Sequence, residues 1–376
     1  MPKSATVNHQ TIRSINRIWP SPQRHRGTEK TKRKISILHS ATLWLCGQSQ
    51  LKWALRWQSI HPLAICLMLL MVTACDARPP ASSPGDRPDF GNAFWKNWGD
   101  GKAELAGYDI VYPRYGRLRK GTGVTIFVTE DFSNTLRVKA DPGKHPKSDV
   151  YPVIKLNLVE DFPTGLYDYS LMSSVFVRSD NSDQGGLPVK ASFSAQEWCG
   201  HAYAQLLFDD RDIRLTSHSY FDGEADQNHK LQLPTNAMSQ DVLLHWARGL
   251  ASPALKAGES TQVKLLRSLA YSRLRHQPLN WVDATLTFEK KPVEITVPAG
   301  TFMCDVMTCT LADGMKWTFY IQRDDPYRHL VSWESSAGHK GEMIKAKRLP
   351  YWQLHDEGNE SMLKEIGLTQ RGKRMP

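Results

Sequence analysis

The sequence predicts a mainly β fold: an antiparallel curved sheet or barrel with a few short helices. Three observations carry that prediction. Apolar and polar residues alternate with period two along several stretches, which is the pattern of strands with one buried and one wet face. Turn-forming pairs such as Asp313-Gly314 separate those stretches. Helical periodicity is scarce, and no repeat recurs at a period of 20–50 residues.

In chain order, the first 50 residues are basic and without periodicity, and they read as a leader extension or a mis-assigned start. No Met lies between Met1 and Met68, so translation is expected to begin downstream at a non-AUG codon. Residues 51–74 have the layout of a lipoprotein signal peptide. Lys52 and Arg56 precede an uncharged apolar run, residues 63–74, that ends in Val72-Thr73-Ala74-Cys75. A membrane-spanning helix needs about 20 apolar residues, so this run is too short to be one. The tetrapeptide resembles the bacterial lipobox, which implies that Cys75 is diacylated and becomes the mature N-terminus. Acyl chains hold a protein at a membrane by burying methylenes, at about 0.8 kcal/mol for each CH₂. The expected location is therefore exported and lipid-anchored, facing the periplasm, with inner and outer membrane both open.

Removing the leader also changes the charge. The whole chain carries 48 basic and 38 acidic residues, a net charge of +10. Residues 1–74 hold 11 of the basic residues and one acid, Glu29, which leaves 37 of each sign after position 74. The mature chain is formally neutral and gives no electrostatic reason to expect nucleic acid.

Residues 75–89 are rich in Pro, Ser and Gly and read as an extended tether. A single β-rich domain is expected over residues 90–376. It opens on Phe94-Trp95-Lys96-Asn97-Trp98, a helical turn or two. Val124 to Val128 reads as a deeply buried strand. Ile154/Leu156/Leu158, Val189/Ala191/Phe193/Ala195, Val282/Ala284/Leu286/Phe288 and Trp317/Phe319/Ile321 mark strands by alternation. About ten strands are expected. The best helix starts with Ser239 as N-cap, runs from Asp241 to Arg248 and stops near Gly249 and Pro253; a second short one follows Ser361.

Polar chemistry concentrates in residues 196–226. His201 and His218 could supply nitrogen ligands to a divalent metal, with Glu197 or Asp222 as general base or third ligand. If residues 201–208 and 214–221 form a hairpin folded near Asp209 to Asp212, the two histidines approach across it. No HExxH, GxSxG, Walker or calcium-loop pattern supports a specific enzyme class. Cys304 and Cys309 differ by five, so on one straight strand they face opposite ways about 16 Å apart. The spacing leaves Cys199 bridged to Cys304, Cys199 bridged to Cys309, or no bridge at all.

Five stretches together resemble an uncharacterised family of bacterial secreted proteins and lipoproteins. They are Phe94 to Trp98, Ala103 to Tyr108 with Pro113-Arg114-Tyr115-Gly116, Ile126 to Phe132, Gln196 to His201, and Ser217 to Asp226. Some members of that family carry the label septum formation inhibitor Maf. True Maf proteins are cytoplasmic nucleotide pyrophosphatases of α/β fold, and an exported β-rich chain matches neither their address nor their pattern. Val297-Pro298-Ala299-Gly300-Thr301-Phe302, before a strand and an aromatic strand, is similar to β-rich periplasmic proteins of lipoprotein-carrier type. Two functions are expected to compete. One is a membrane-anchored envelope lipoprotein that binds an apolar ligand, a lipid or an envelope partner. The other is a metal-assisted hydrolase centred on residues 197–226. A purely structural role in assembly is a third reading.

Overall fold

A computed structural model of the protein describes residues 87–369. The segments expected to be leader, signal peptide and most of the tether, with Cys75, lie outside the described residues. The strands are β1 (Ala103–Arg114), β2 (Arg117–Ser133), β3 (Val150–Pro163), β4 (Asp168–Arg178), β5 (Pro188–Glu197), β6 (Gly200–Phe208), β7 (Asp212–Ser219) and β8 (Gln227–Gln232). They continue as β9 (Ala237–Ser239), β10 (Ser260–Leu266), β11 (Trp281–Phe288), β12 (Val293–Val297), β13 (Gly300–Leu311), β14 (Lys316–Gln322), β15 (Leu330–Ser335) and β16 (Lys340–Leu349). Three short helices accompany them: α1 (Asn92–Trp98), α2 (Leu243–Ala247) and α3 (Leu269–Arg275).

The strands build one curved sheet that does not close. β1 to β8 pair each with the next in sequence order, and β10, β11, β13, β14, β15 and β16 form a second run, with β12 attached to β13. β1 pairs with β16, which joins the two runs at the centre and leaves β8 and β9 at the edges. All pairings are antiparallel except the short one between β9 and β10. The alternation is realised as expected. In β5, Val189, Ala191, Phe193 and Ala195 are buried, while Lys190, Ser192 and Ser194 are partly wet.

Sixteen strands stand where about ten were expected. The surplus includes strands without a clean apolar row, such as β8, which buries none of its residues. The helix expected after Ser239 is present as a 3₁₀ turn, Gln240–Val242, running into α2. Ser239 caps it, its Oγ accepting from the Asp241 amide. The helix expected after Ser361 is 3₁₀, spanning Asn359–Ile366. The end of the segment expected to be tether is already docked: Arg87 donates to the Ser182 carbonyl at 3.2 Å, just ahead of Phe90, which is 2% exposed.

The segment carrying α2 lies in the concavity of the sheet and supplies Leu243, Trp246, Ala247, Leu250 and Ala251 to the core. Each large apolar side chain buried this way contributes about 1.5–3 kcal/mol. Two polar anchors fix it. His245 donates Nε2–H to the Ile154 carbonyl at 3.2 Å. Arg248 forms two hydrogen bonds to the Glu104 carboxylate, at 2.9 and 2.7 Å, and lies 4.1 Å over the Phe127 ring.

Candidate ligand cavity

The expected β6–β7 hairpin is present, with Tyr203 opposite His218 and the Asp209 amide bonded to the Asp212 carbonyl. The Tyr220 amide donates to the His201 carbonyl, so His201 and His218 are diagonal neighbours on one exposed face. They border a shallow depression together with Tyr203 and Asp226. The carboxylate that reaches His218 is Asp226, 3.0 Å from Nδ1; Asp222 is exposed in the turn beyond β7. Glu197 does not join them. It is 6% exposed and accepts from Arg273 at 2.8 Å, and the Arg273 guanidinium lies 3.6 Å over the Phe221 ring. Glu197 therefore ties α3 to the end of β5, because a buried carboxylate must be paired. Among the described residues no group of three or more His, Cys, Asp or Glu side chains is arranged to hold a metal.

Cys199 is exposed in the β5–β6 turn, whereas Cys304 and Cys309 are buried in β13. All three are free, and the structure brings neither buried thiol to Cys199. Burial pushes the Cys304 thiol up to about 11 and the Cys309 thiol up to about 12, which keeps both protonated and unreactive.

The concavity is not filled throughout. Between the sheet and α2 and α3 lies a cavity of about 470 Å³. Its walls include Tyr112 on β1, Leu156 and Glu160 on β3, Ser173 and Val175 on β4, and Trp317, Phe319 and Trp333 on β14 and β15. Leu243, Leu244, Ala270, Tyr271 and Leu274 cover it from the helical side. Glycines on β2 shape the wall. A Cβ on Gly121 would come within 2.2 Å of the Asp161 carbonyl, and one on Gly123 within 2.8 Å of Ile110. With no side chains there, residues of β1 and β3 meet across β2: Tyr112 stacks on Phe162 at 4.6 Å, and Phe162 on Tyr169 at 5.2 Å.

One acid–base pair is built into this wall. Glu160 Oε1 lies 2.6 Å from His339 Nε2, and the residues are 179 positions apart. The His339 ring is surrounded by Tyr112, Trp317 and Trp333, with centroids at 4.6, 5.4 and 6.1 Å. Its backbone is set by the turn before β16, where the His339 amide donates to Ser335 Oγ at 3.1 Å. Trp317 Nε1–H is shut off from solvent and has no acceptor among the described residues. A second carboxyl, Asp241, is partly buried and also borders the cavity. Burial raises it to about 6 despite hydrogen bonds from Ser239 and the Leu269 amide.

The mouth is framed by the β1–β2 turn, where Tyr115 and Gly116 both take positive φ, 54° and 68°. This is a two-residue hairpin of the primed kind. Arg114 straps the turn to α3, donating to the Leu274 carbonyl at 2.6 Å and to Tyr169 Oη at 2.9 Å. Tyr115 Oη lies 2.6 Å from Tyr169 Oη.

Sequence reasoning selected the exposed hairpin and missed this interior. One signal for it was available: Glu160 continues the inward row of Ile154, Leu156 and Leu158, so the alternation of β3 puts an acid where an apolar residue belongs. Nothing in the spacing indicates its partner His339.

No protein-family model matches the chain, and no curated protein matches it. Among solved structures it is similar to a β-barrel-like protein of the domain of unknown function DUF1849 from Brucella abortus. The two are 11% identical, the match covers 65% of this chain and 97% of that one, and the TM-score is 0.40. No helix among the described residues is long and apolar enough to cross a membrane.

Proposed function

We propose that this is an exported, lipid-anchored envelope protein whose curved sheet holds an apolar ligand in the cavity between sheet and helices. The observation that carries the reading is the aromatic-walled cavity of about 470 Å³ between the sheet and the helices. Protein interiors normally close such space, and ligand pockets commonly fall between about 300 and 1,000 Å³ with mostly apolar walls and a few placed polar groups. The lipobox at Cys75 and the charge-neutral chain beyond it support the envelope address.

Native mass spectrometry of the protein, gently extracted from membranes, tests both halves of the reading. The expected spectrum shows the acyl mass on Cys75 and a second, noncovalent adduct. Cys75→Ser should remove the first and free the protein from the membrane fraction. Ser173→Phe, which places a ring into the cavity from β4, should remove the second. A wild-type protein without any adduct would count against ligand binding, and an unmodified Cys75 against anchoring.

A further inference from the structure

Three arginines gather at the mouth of the cavity without a carboxylate partner among the described residues. Arg114 and Arg117 stand directly opposite each other at the end of the β1–β2 hairpin, and both line the cavity. Like charges in such a cross-strand position destabilise the pairing. Arg275, the last residue of α3, lines the same space, next to the Leu274 carbonyl that accepts from Arg114 at 2.6 Å. Arg114 also donates to the Tyr169 and Tyr115 hydroxyls, at 2.9 and 3.3 Å. Arg117 and Arg275 are exposed, and their guanidinium groups make no hydrogen bond or ion pair with any described residue. The carboxyls of the cavity do not offset the cluster. Glu160 is bonded to His339. Asp241 accepts from the amide of Leu269, the first residue of α3, so it stands at the opposite end of that helix from Arg275. The positive charge reaches the wall: burial raises the Tyr112 hydroxyl and Glu160 adds to the rise, while Arg114 and Arg275 oppose it.

Resting on the reading of the cavity as a ligand site, we propose that Arg114, Arg117 and Arg275 form its head-group subsite, and that the ligand is an anionic amphiphile. The head is a carboxylate or a phosphate ester, and the apolar chain lies against Leu156, Val175, Leu243 and Phe319 inside. A guanidinium offers a planar fork of donors that matches two oxygens of either head. Arg117 and Arg275 supply those donors, while Arg114, already bonded to a carbonyl and two hydroxyls, supplies charge. An anion there relieves the repulsion between Arg114 and Arg117, and at the mouth it stays in contact with water, so its desolvation cost is small. A neutral head leaves that repulsion in place, and a cationic head adds to it. A cation at a helix C-terminus also complements the helix dipole, which accounts for Arg275 alone but not for Arg117 opposite Arg114.

The test uses four probes with one chain length, octanoate, octyl phosphate, 1-octanol and octyltrimethylammonium, and acetate as a head without a chain. Each is titrated by calorimetry into the whole chain carrying Cys75→Ser, which stays free of acyl groups. The expected result is that octanoate or octyl phosphate binds roughly tenfold or more tighter than 1-octanol, the worth of a hydrogen bond to a charged group. The tighter of the two anions identifies the head as carboxylate or phosphate ester. Octyltrimethylammonium should bind weakest of the four, and acetate should not register. Arg117→Gln with Arg275→Gln changes two exposed side chains; it should bring both anions down to 1-octanol and leave 1-octanol unchanged. The subsite is overturned if 1-octanol or octyltrimethylammonium binds as tightly as the anions or tighter, if acetate matches octanoate, or if the double variant keeps the preference for anions. If none of the four chain-bearing probes binds, 1-octanol included, it is the cavity reading itself that fails.

Discussion

Arg248 places a full charge inside an apolar core, and its surroundings explain how that is tolerated. Its side chain and that of Glu104 are 0% and 2% exposed. The guanidinium is held by both Glu104 oxygens, by the Tyr327 carbonyl at 2.5 Å and by the Arg328 carbonyl at 2.9 Å. A buried pair of this kind adds little net stability, but removing one partner strands the other. Arg248→Met should therefore destabilise the protein by about 3–5 kcal/mol in urea unfolding, while Arg248→Met with Glu104→Leu should recover most of that loss. If the double variant is no more stable than the single one, the cost lies in lost packing over Phe127 instead. Single residues also show where sequence reading ends. Glu197 was singled out for its chemistry and proves to be half of a structural ion pair with Arg273. Glu160 and His339 meet only because the fold brings β3 and the distant turn before β16 to one concave face.

At the scale of elements, the segment running from Asp241 into α2 carries two buried titrating groups with opposite effects. Burial holds His245 down to about 3, so the folded protein refuses a proton that the unfolded chain accepts near its ordinary value of 6.5. Stability from His245 is thus complete above about pH 6.5 and is lost as the pH falls toward 3. Burial raises Asp241 from 3.8 to about 6, so there the folded state holds the proton more tightly. Its contribution is complete below about pH 4 and is lost as the pH rises through 6. Between pH 4 and 6 the two slopes oppose each other. Asp241→Asn should raise the melting temperature at pH 7–8, by a free energy on the order of 2–3 kcal/mol, and leave it nearly unchanged at pH 4. His245→Gln keeps a donor for Ile154 and should flatten the acid limb. Identical pH profiles in the variants and the parent would remove the role assigned to these groups. The capping residue Ser239 and the stop at Gly249 made this segment legible in the sequence. α3 was not legible, because Leu269, Leu274 and the buried Arg273 mix apolar and charged residues on its packed side. Strands with an unbroken apolar row, such as β5, were readable; β8 and β12, which bury one residue or none, were not.

On the scale of the whole molecule, the sheet has a strong centre and two unequal margins. β1 and β16 join the two halves through a register running from Ala103 opposite Leu349 to Val111 opposite Lys340, and β1 to β3 bury Tyr108, Ile110, Phe127, Ile154 and Leu156. At one margin, β9 is protected by its place beside the α2 segment, with Met238 and Ser239 buried. At the other, β8 reads Gln-Asn-His-Lys-Leu-Gln, buries nothing and has one paired neighbour, β7. Exposed edges invite pairing with other chains, and polar or charged residues such as His229 and Lys230 discourage it. An edge strand with no buried side chain opens at low cost, whereas central strands open only with the core. Hydrogen exchange followed by mass spectrometry should therefore release the β8 amides well before those of β1 to β3, and it should do so without unfolding the cavity wall. Ligand in the cavity should slow exchange in β14 and β15 and leave β8 unaffected, since Trp317 and Trp333 touch the cavity and β8 does not. Protection of β8 equal to that of the central strands would mean that its free edge is covered in solution by another chain, and the two margins would then have to be read as one interface.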